Sequence, residues 1–181
     1  MTQDTSIKNQ PKKGLRYWLI ILLEIVVFLS IFFAINWWQE RHLLNHQSDN
    51  KAPHAQLVSI DGKNYQLPAD KQNHLIYFFA PWCTICDLSI GNIEAHKQNL
   101  IDKGYQVYYV ALSWQNQEEI QTFAKEHQLS FPVLLGTEQT GLDYSIKGFP
   151  TYYLINSQGQ VVSGSQGYST ELGIWLRSFS D

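Results

Sequence analysis

The chain has 181 residues and a net charge of −3, from 13 basic and 16 acidic side chains. That length suits one domain plus a short extra element. The balance of charge, with no Lys/Arg cluster set beside stacking aromatics, argues against a nucleic-acid partner. The two cysteines cannot build a stabilising disulfide framework, so the fold must rest on a hydrophobic core.

Residues 1–16 are polar and basic. From Tyr17 to Trp38 only Glu24, Ser30 and Asn36 are clearly polar. As a helix this run reaches about 33 Å, enough to cross a hydrocarbon layer of about 30 Å once. Trp18 at one end and Trp37 and Trp38 at the other suit the two interfaces. The run is too long for a cleaved leader, and no small-x-small cleavage site precedes a polar start, so it reads as an uncleaved anchor. Lys8, Lys12, Lys13 and Arg16 precede it, whereas only Arg41 follows closely. The positive-inside rule therefore expects the N-terminus in the cytoplasm and the rest of the chain outside. Glu24 is costly at membrane depth; neutralisation or local water relieves that cost on a lone anchor, and a membrane partner is the other reading.

Residues 39–54 read as a polar tether. His42 and His46 stand at i, i+4, a spacing able to hold a metal on a helix, but no third ligand lies nearby, so no metal site is assigned. From Ala55 to Asp181 the pattern is α/β. Gln56–Ile60 and Lys63–Leu67, joined by Asp61-Gly62, predict a β-hairpin. His74–Ala80 is a near-continuous apolar run, as in a buried central strand. Residues 83–103 carry apolar side chains at Ile85, Leu88, Ile93, Leu100 and Ile101 and predict one helix, bent or weakened at Gly91. Tyr105–Leu112 is a second buried strand. Glu118–His127 is a helix with Ile120, Phe123 and Ala124 on one side. Phe131–Leu135 is a short extended piece. Thr151–Ile155, a turn at Ser157-Gln158-Gly159, and Gln160–Ser163 form a second hairpin. Thr170–Phe179 closes the chain as a helix with Leu172, Trp175, Leu176 and Phe179 inward. The order implies a mixed central sheet flanked by helices, with an N-terminal β-hairpin.

The chemistry-bearing motif is Cys83-Thr84-Ile85-Cys86, just past the His74–Ala80 strand and Pro81-Trp82. A Cys-x-x-Cys in a βαβ setting is a redox signature. A cysteine opening a helix sits beside unpaired N–H groups and the positive end of the dipole, which favour the nucleophilic thiolate. A second cysteine three residues on, nearly one turn away, can close a disulfide with it. A zinc site needs two further Cys or His ligands, and no further cysteine exists.

Phe79-Ala80-Pro81-Trp82-Cys83-Thr84-Ile85-Cys86 resembles the active-site strand and helix start of thioredoxins. Further on, Gly148-Phe149-Pro150-Thr151 resembles the thioredoxin cis-proline loop. With the hairpin and the anchor, the chain resembles the membrane-tethered TlpA-like thiol–disulfide oxidoreductases of bacterial envelopes, whose neighbourhood includes cytochrome c maturation reductases. The resemblance implies a thioredoxin fold behind a single transmembrane helix, held in a bacterial cytoplasmic (inner) membrane with the catalytic domain in the periplasm or otherwise outside the cytoplasm. It implies that Cys83 attacks, Cys86 resolves, and the two form a redox-active disulfide. It also implies that Pro150 is cis and faces them, that the Phe149 backbone pairs with substrate, and that Trp82 covers part of the site. Partners would be protein thiols and disulfides of the envelope and a membrane electron donor; no cofactor is implied. An envelope thiol oxidase or isomerase, or a non-catalytic binding module, is the alternative.

Two departures stand out. Thioredoxins bury a carboxylate six residues before the first cysteine, where this chain has Tyr77. TlpA-like reductases often carry Glu and Pro shortly after the second cysteine, where Ser89 and Gly91 stand. That leaves the proton of the resolving cysteine to water, to Glu94, or to nothing dedicated.

Overall fold

A computed structural model of the chain describes residues 14–44, 50–69, 71–168 and 173. The basic tail up to Lys13, His46 and nearly all of the expected C-terminal helix at 170–179 lie outside these described residues. The chain divides into two units, residues 1–39 and 40–181.

The described part of the first unit is Gly14 and nearly all of helix α1, Leu15–Glu40. Its stretch Arg16–Ile35 is long and apolar enough to cross a membrane, and none of it is buried in protein. A helix apolar on all sides has no single core-facing stripe. Ser30 Oγ donates to Val26 O at 2.7 Å, so this hydroxyl is satisfied within the helix.

The second unit is built on one seven-stranded sheet. Its strands in chain order are β1 (Ala55–Ser59), β2 (Asn64–Leu67), β3 (Asn73–Phe79), β4 (Tyr105–Ala111), β5 (Val133–Leu135), β6 (Thr151–Ile155) and β7 (Val161–Gln166). Their spatial order is β2-β1-β5-β4-β3-β6-β7. The strands β3, β4 and β5 run parallel, while β1, β6 and β7 pair antiparallel with their neighbours. The first hairpin forms as its Asp-Gly signal predicts, with Gly62 in the left-handed region at φ +81°.

β3 is central and buried on both faces, which explains its unbroken apolar run. Leu75, Tyr77 and Phe79 enter one core with Val107, Tyr109 and Ala111 of β4. Ile76 and Phe78 enter the opposite core with Tyr108 and Val110. The first core is closed by helix α2 (Thr84–Ala95), helix α3 (Lys97–Asp102) and helix α4 (Gln117–Glu126). The second core contains Tyr144, at the end of helix α5 (Glu138–Asp143), together with Leu43 and Leu44. Leu43, Leu44 and Ala52 come from the stretch read as polar tether, and Ala52 N–H donates to Gly159 O at 2.8 Å.

Four elements differ from the sequence reading. The single helix expected over 83–103 is two helices. The break falls at His96 (φ −96°, ψ 6°), and α2 runs unbroken through Gly91. Nor do Ile85 and Leu88 form its buried stripe; that stripe is Cys86, Ser89, Ile90 and Ile93, an i, i+3, i+4, i+7 set, while Ile85 and Leu88 face solvent. Helix α5 was not foreseen. It is six residues long and opens with a reciprocal box in which Thr137 and Thr140 each accept the other's backbone N–H, a Thr standing where Glu or Gln is usual. Finally, β7 runs on to Gln166, past the expected Ser163, with a pairing irregularity at Leu154/Ile155. The pairing of Phe78 with Thr151 sets the start of β6 beside the end of β3. Residues 148–150 and 80–83 therefore meet at one edge of the molecule.

Candidate active site

Cys83 is the N-cap of α2, with extended dihedrals (φ −86°, ψ 107°). Its own N–H donates to Ala80 O at 3.0 Å and its carbonyl accepts Asp87 N–H at 3.0 Å, so the turn out of β3 is held on both sides. A side chain at an N-cap lies against the unpaired amides of the first turn. Here the Cys83 sulfur accepts the Cys86 N–H at 3.3 Å. Its thiol also points to Phe149 O, 3.6 Å away and 66 residues along the chain.

Both cysteines are free thiols in this structure, and they differ in access. Cys83 is 8 % exposed and Cys86 fully buried. Burial pushes the Cys86 thiol well above the usual range, and its hydrogen bond with Cys83 adds to the effect. The pair thus has a nearly buried outer sulfur and a fully buried, protonated one behind it.

Trp82 and Phe149 border the outer thiol. The Trp82 indole N–H donates to Ser113 O at 2.8 Å, and its ring meets Phe149 edge-on with centroids 6.0 Å apart. Ser113, just past β4, sits in the left-handed region at φ +52°. The Phe149–Pro150 bond is cis, as the resemblance implied. A second cis bond, Leu67–Pro68, lies at the end of β2 and was not expected. The Phe149–Pro150 loop is pinned from behind: Gly167 N–H donates to Pro150 O at 2.7 Å and Thr151 Oγ1 to Gly148 O at 2.9 Å. All five residues singled out in the sequence, Trp82, Cys83, Cys86, Phe149 and Pro150, therefore meet in one place.

The sequence did not reveal two further features. A cleft of about 540 Å³ opens beside Phe149, walled by Trp114, Gly136, Leu142 and Ile146 over Leu112. Its far wall is the unforeseen α5, so no linear motif marks it. Beneath α2, Tyr77 and Ser89 are hydrogen-bonded to each other at 2.7 Å in a fully buried position. These are the two positions at which the resemblance leads one to expect an acid and the sequence departs from it. Glu94, the other candidate for the Cys86 proton, is engaged elsewhere. Its Oε1 accepts Tyr109 Oη–H at 2.8 Å and Ser130 N–H at 2.9 Å, and its Oε2 accepts Ser130 Oγ–H at 2.6 Å. It ties β4 and α2 to the loop before β5. Among the described residues no group of three His, Cys, Asp or Glu side chains is arranged to hold a metal ion.

The chain resembles known proteins along most of its length. It is 25% identical to the thiol-disulfide oxidoreductase ResA of Bacillus subtilis over 91% of this chain and 90% of that protein. It is also 25% identical to sporulation thiol-disulfide oxidoreductase A of the same organism, over 76% of this chain and 85% of the relative. Among solved structures, StoA from Bacillus subtilis superposes with a TM-score of 0.60 at 22% identity, covering 73% of this chain and 99% of the other. A thiol:disulfide interchange protein of the thioredoxin family from Chlorobium tepidum gives 0.65 at 20% identity, covering 74% and 96%. The fold is therefore thioredoxin-like. Residues 49–163 match the AhpC/TSA family, and with the cysteine pair and the cis-proline loop inside or adjoining one sheet, the chain belongs to that family.

Proposed function

We propose that this protein is a membrane-anchored thiol–disulfide oxidoreductase that works outside the cytoplasm and reduces disulfides of partner proteins through Cys83 and Cys86. One observation carries the reading: Cys83, nearly buried at the N-cap of α2, has its sulfur between the Cys86 N–H at 3.3 Å and the Phe149 carbonyl at 3.6 Å. The oxidoreductase chemistry is that of its named relatives. The cysteine roles, the direction and the compartment are our reading.

The Cys83 thiolate attacks one sulfur of the partner disulfide. The first partner sulfur leaves with the bonding electrons, and a mixed disulfide joins Cys83 to the second. Cys86 then attacks the Cys83 sulfur, releases the second partner thiol and leaves a Cys83–Cys86 disulfide. Two electrons pass from the dithiol to the partner. During this exchange Phe149 offers backbone to an extended partner segment, Pro150 keeps that backbone turned to the cysteines, and Trp82 covers one side.

The apolar helix α1 supports an anchor, and the basic residues before it support an N-terminus in the cytoplasm. Compartments outside the bacterial cytoplasm are kept oxidising. A reductase there must be re-reduced, and a single dithiol on a tether takes its electrons from a donor in the membrane. The likeness of the motif pair to TlpA-like reductases supports this direction.

The test is trapping. Cys86→Ser accumulates mixed disulfides with partner proteins on non-reducing gels and Cys83→Ser does not. If neither variant traps anything and insulin reduction is unchanged in both, the enzyme reading fails. The reduction potential decides direction: a value near about −270 mV supports a reductase, and one near about −120 mV marks an oxidant.

A further inference from the structure

The stretch after the apolar helix is stitched into the second unit, and it enters at one end of the sheet. Glu40 opens the unit, and its Oε1 accepts Ser165 Oγ–H at 3.0 Å, close to the end of β7. Leu43 and Leu44 follow, both buried in the second core. By residues 50–52 the chain has reached the other end of β7, where Asn50 O accepts Val161 N–H at 2.7 Å and Ala52 N–H donates to Gly159 O. The Ser165 end is the one that carries the cysteines. Gln166 pairs with Thr151, Gly167 N–H reaches Pro150 O at 2.7 Å, and Phe149 O lies 3.6 Å from the Cys83 sulfur. The six residues of β7 separate its two ends by about 20 Å. Only Gln39 stands between Glu40 and Trp38, whose type suits a membrane interface. Two residues of chain reach about 7 Å at most, so a bilayer holding Trp38 at its surface lies close to the point where the chain enters, at the cysteine-bearing end.

That end is also where large apolar side chains are left uncovered. Trp82, Ile85, Leu88 and Leu142 are 45–66 % exposed. Trp82 precedes Cys83, Ile85 lies between the cysteines, Leu88 stands three residues further along α2, and Leu142 walls the same cleft as Phe149. Apolar groups gathered in this way around a polar rim mark an interaction site. The rim is acidic. Glu138 lines the cleft beside Phe149, and Glu118, Glu119 and Glu126 line a second cleft beside Trp82, while neither lining includes Lys or Arg. Lys147, just before the proline loop, lines neither. A surface made for anionic lipid carries Lys and Arg around its apolar residues. Two copies of this chain would set acidic rims against each other. The complement of this rim is a protein surface with an apolar centre and a basic fringe.

We propose that Trp82, Ile85, Leu88 and Leu142 form the docking face for an integral membrane protein whose paired thiols stand near the outer bilayer surface, in an apolar ring fringed by Lys or Arg. This deepens the redox reading given above and rests on it: the partner is the membrane donor, and it re-reduces the Cys83–Cys86 disulfide while the domain stays at the bilayer. One donor thiolate attacks the Cys83 sulfur, and Cys86 leaves with the bonding pair and takes up a proton. The second donor thiolate attacks the first donor sulfur and frees Cys83 as a thiolate. Two electrons pass to this protein, the donor ends as a disulfide, and its two protons go to Cys86 and to water.

The first measurement is of position. Full-length protein with both cysteines changed to serine carries a dye on Ile85→Cys or on Gln158→Cys, in the exposed turn before β7. It is inserted in phosphatidylethanolamine–phosphatidylglycerol vesicles with an acceptor dye on the headgroups. Energy transfer from residue 85 exceeds that from residue 158 by about twofold or more, given the length of β7 between the two ends. Equal transfer, or the reverse, overturns the proposal. A protein that alkaline carbonate strips from the vesicles removes the anchor reading and the inference with it.

The second measurement is of docking. Cells are pulsed with diamide, and recovery of the Cys83–Cys86 thiols is followed by alkylation. Leu88→Ser slows recovery about fivefold, the scale of one interface side chain, whereas Ile101→Ser, exposed on α3, recovers as wild type does. Recovery that is not slowed, or is slowed only in proportion to a shifted reduction potential of the purified variant, overturns the proposal. A photo-cross-linker at residue 88 tells the occupants apart. The expected adduct in cells is with an integral membrane protein that has a cysteine pair and whose deletion leaves Cys83–Cys86 oxidised. Adducts with lipid in the vesicles, or with a second copy of this chain, overturn the proposal. If the wild-type disulfide never forms under diamide, the redox reading itself fails; normal recovery of Leu88→Ser removes only the inference.

Discussion

Gly136 is where the cleft beside Phe149 meets the core, and the structure sets the cost of adding a single carbon there. A Cβ on Gly136 would lie 2.6 Å from Leu112 Cδ2, 2.7 Å from Ala111 O and 2.8 Å from Val110 Cγ1. Carbon contacts are comfortable at about 3.5–4.0 Å, so each neighbour must retreat by roughly 1 Å. Leu112 can rotate away, but the Ala111 carbonyl belongs to β4 and cannot. Overpacking of this kind costs about 1–3 kcal/mol. Gly136 N–H also donates to Ala111 O at 2.9 Å, and pushing the two apart forfeits a bond worth about 1 kcal/mol. Gly136→Ala should therefore destabilise the folded unit by about 3 kcal/mol and lower its Tm by roughly 10 °C. The contrast is Gly141→Ala, five residues on within α5. There the nearest atom, Leu112 Cδ1, is 3.5 Å away, an ordinary contact, and a helical Gly→Ala change stabilises by about 0.5–1 kcal/mol. Thermal melting of the two full-length variants in detergent, followed by circular dichroism, checks the pair. A Gly136→Ala protein melting within about 2 °C of wild type, or a Gly141→Ala protein losing as much as Gly136→Ala, refutes the steric account.

Three other outcomes follow from the same reasoning. His74 is fully buried, with Nε2–H donating to Ala69 O at 2.9 Å and Nδ1 without a partner, and burial pulls its pKa below the ordinary value. The unfolded chain takes up a proton near about pH 6.5 that the folded one refuses, so this contribution is present above that pH and is lost as pH falls, by at most about 1.4 kcal/mol per unit. In urea titrations at pH 7 and pH 5, His74→Phe should show a smaller loss than wild type; an equal loss removes His74 as the cause. Trp82→Ala deletes an exposed ring that reaches Ser113 and Phe149, so the Tm should move by only a few degrees while kcat/KM for a protein disulfide falls about tenfold; unchanged insulin turnover would remove Trp82 from the substrate surface. A reporter enzyme active only outside the cytoplasm should be active when fused after Asp181 and inactive when fused near Arg16, and the reverse pattern would overturn the orientation drawn from the flanking charges.

Much of this protein is legible one segment at a time. The apolar run from Tyr17, the Asp61-Gly62 turn, the unbroken β3 and the amphipathic α4 each carry their own signal, because hydrophobic period and turn chemistry act over a few residues. Cys83-Thr84-Ile85-Cys86 and Gly148-Phe149-Pro150-Thr151 are likewise local strings. Short elements without a strong period were not legible. α5 has six residues and a Thr–Thr box, and the break after Ala95 falls at His96 although Gly91 is the residue whose type suggests it.

The sequence by itself determined which residues carry the proposed chemistry: two cysteines at a helix start and a proline loop, with an apolar helix ahead of them. The tertiary structure alone decided what those residues face. Pairing Phe78 with Thr151 carries the Phe149 carbonyl across 66 residues of chain to the Cys83 thiol, and no local pattern encodes that register. The same holds beneath α2. Tyr77 reads as one more apolar strand residue and Ser89 as a polar helix residue, and only packing β3 under α2 turns them into a buried hydroxyl bridge on the stripe of Cys86. Burial is a property of the assembled core, so the difference between a nearly buried Cys83 and a fully buried, protonated Cys86 exists only once strands and helix have closed over the inner sulfur.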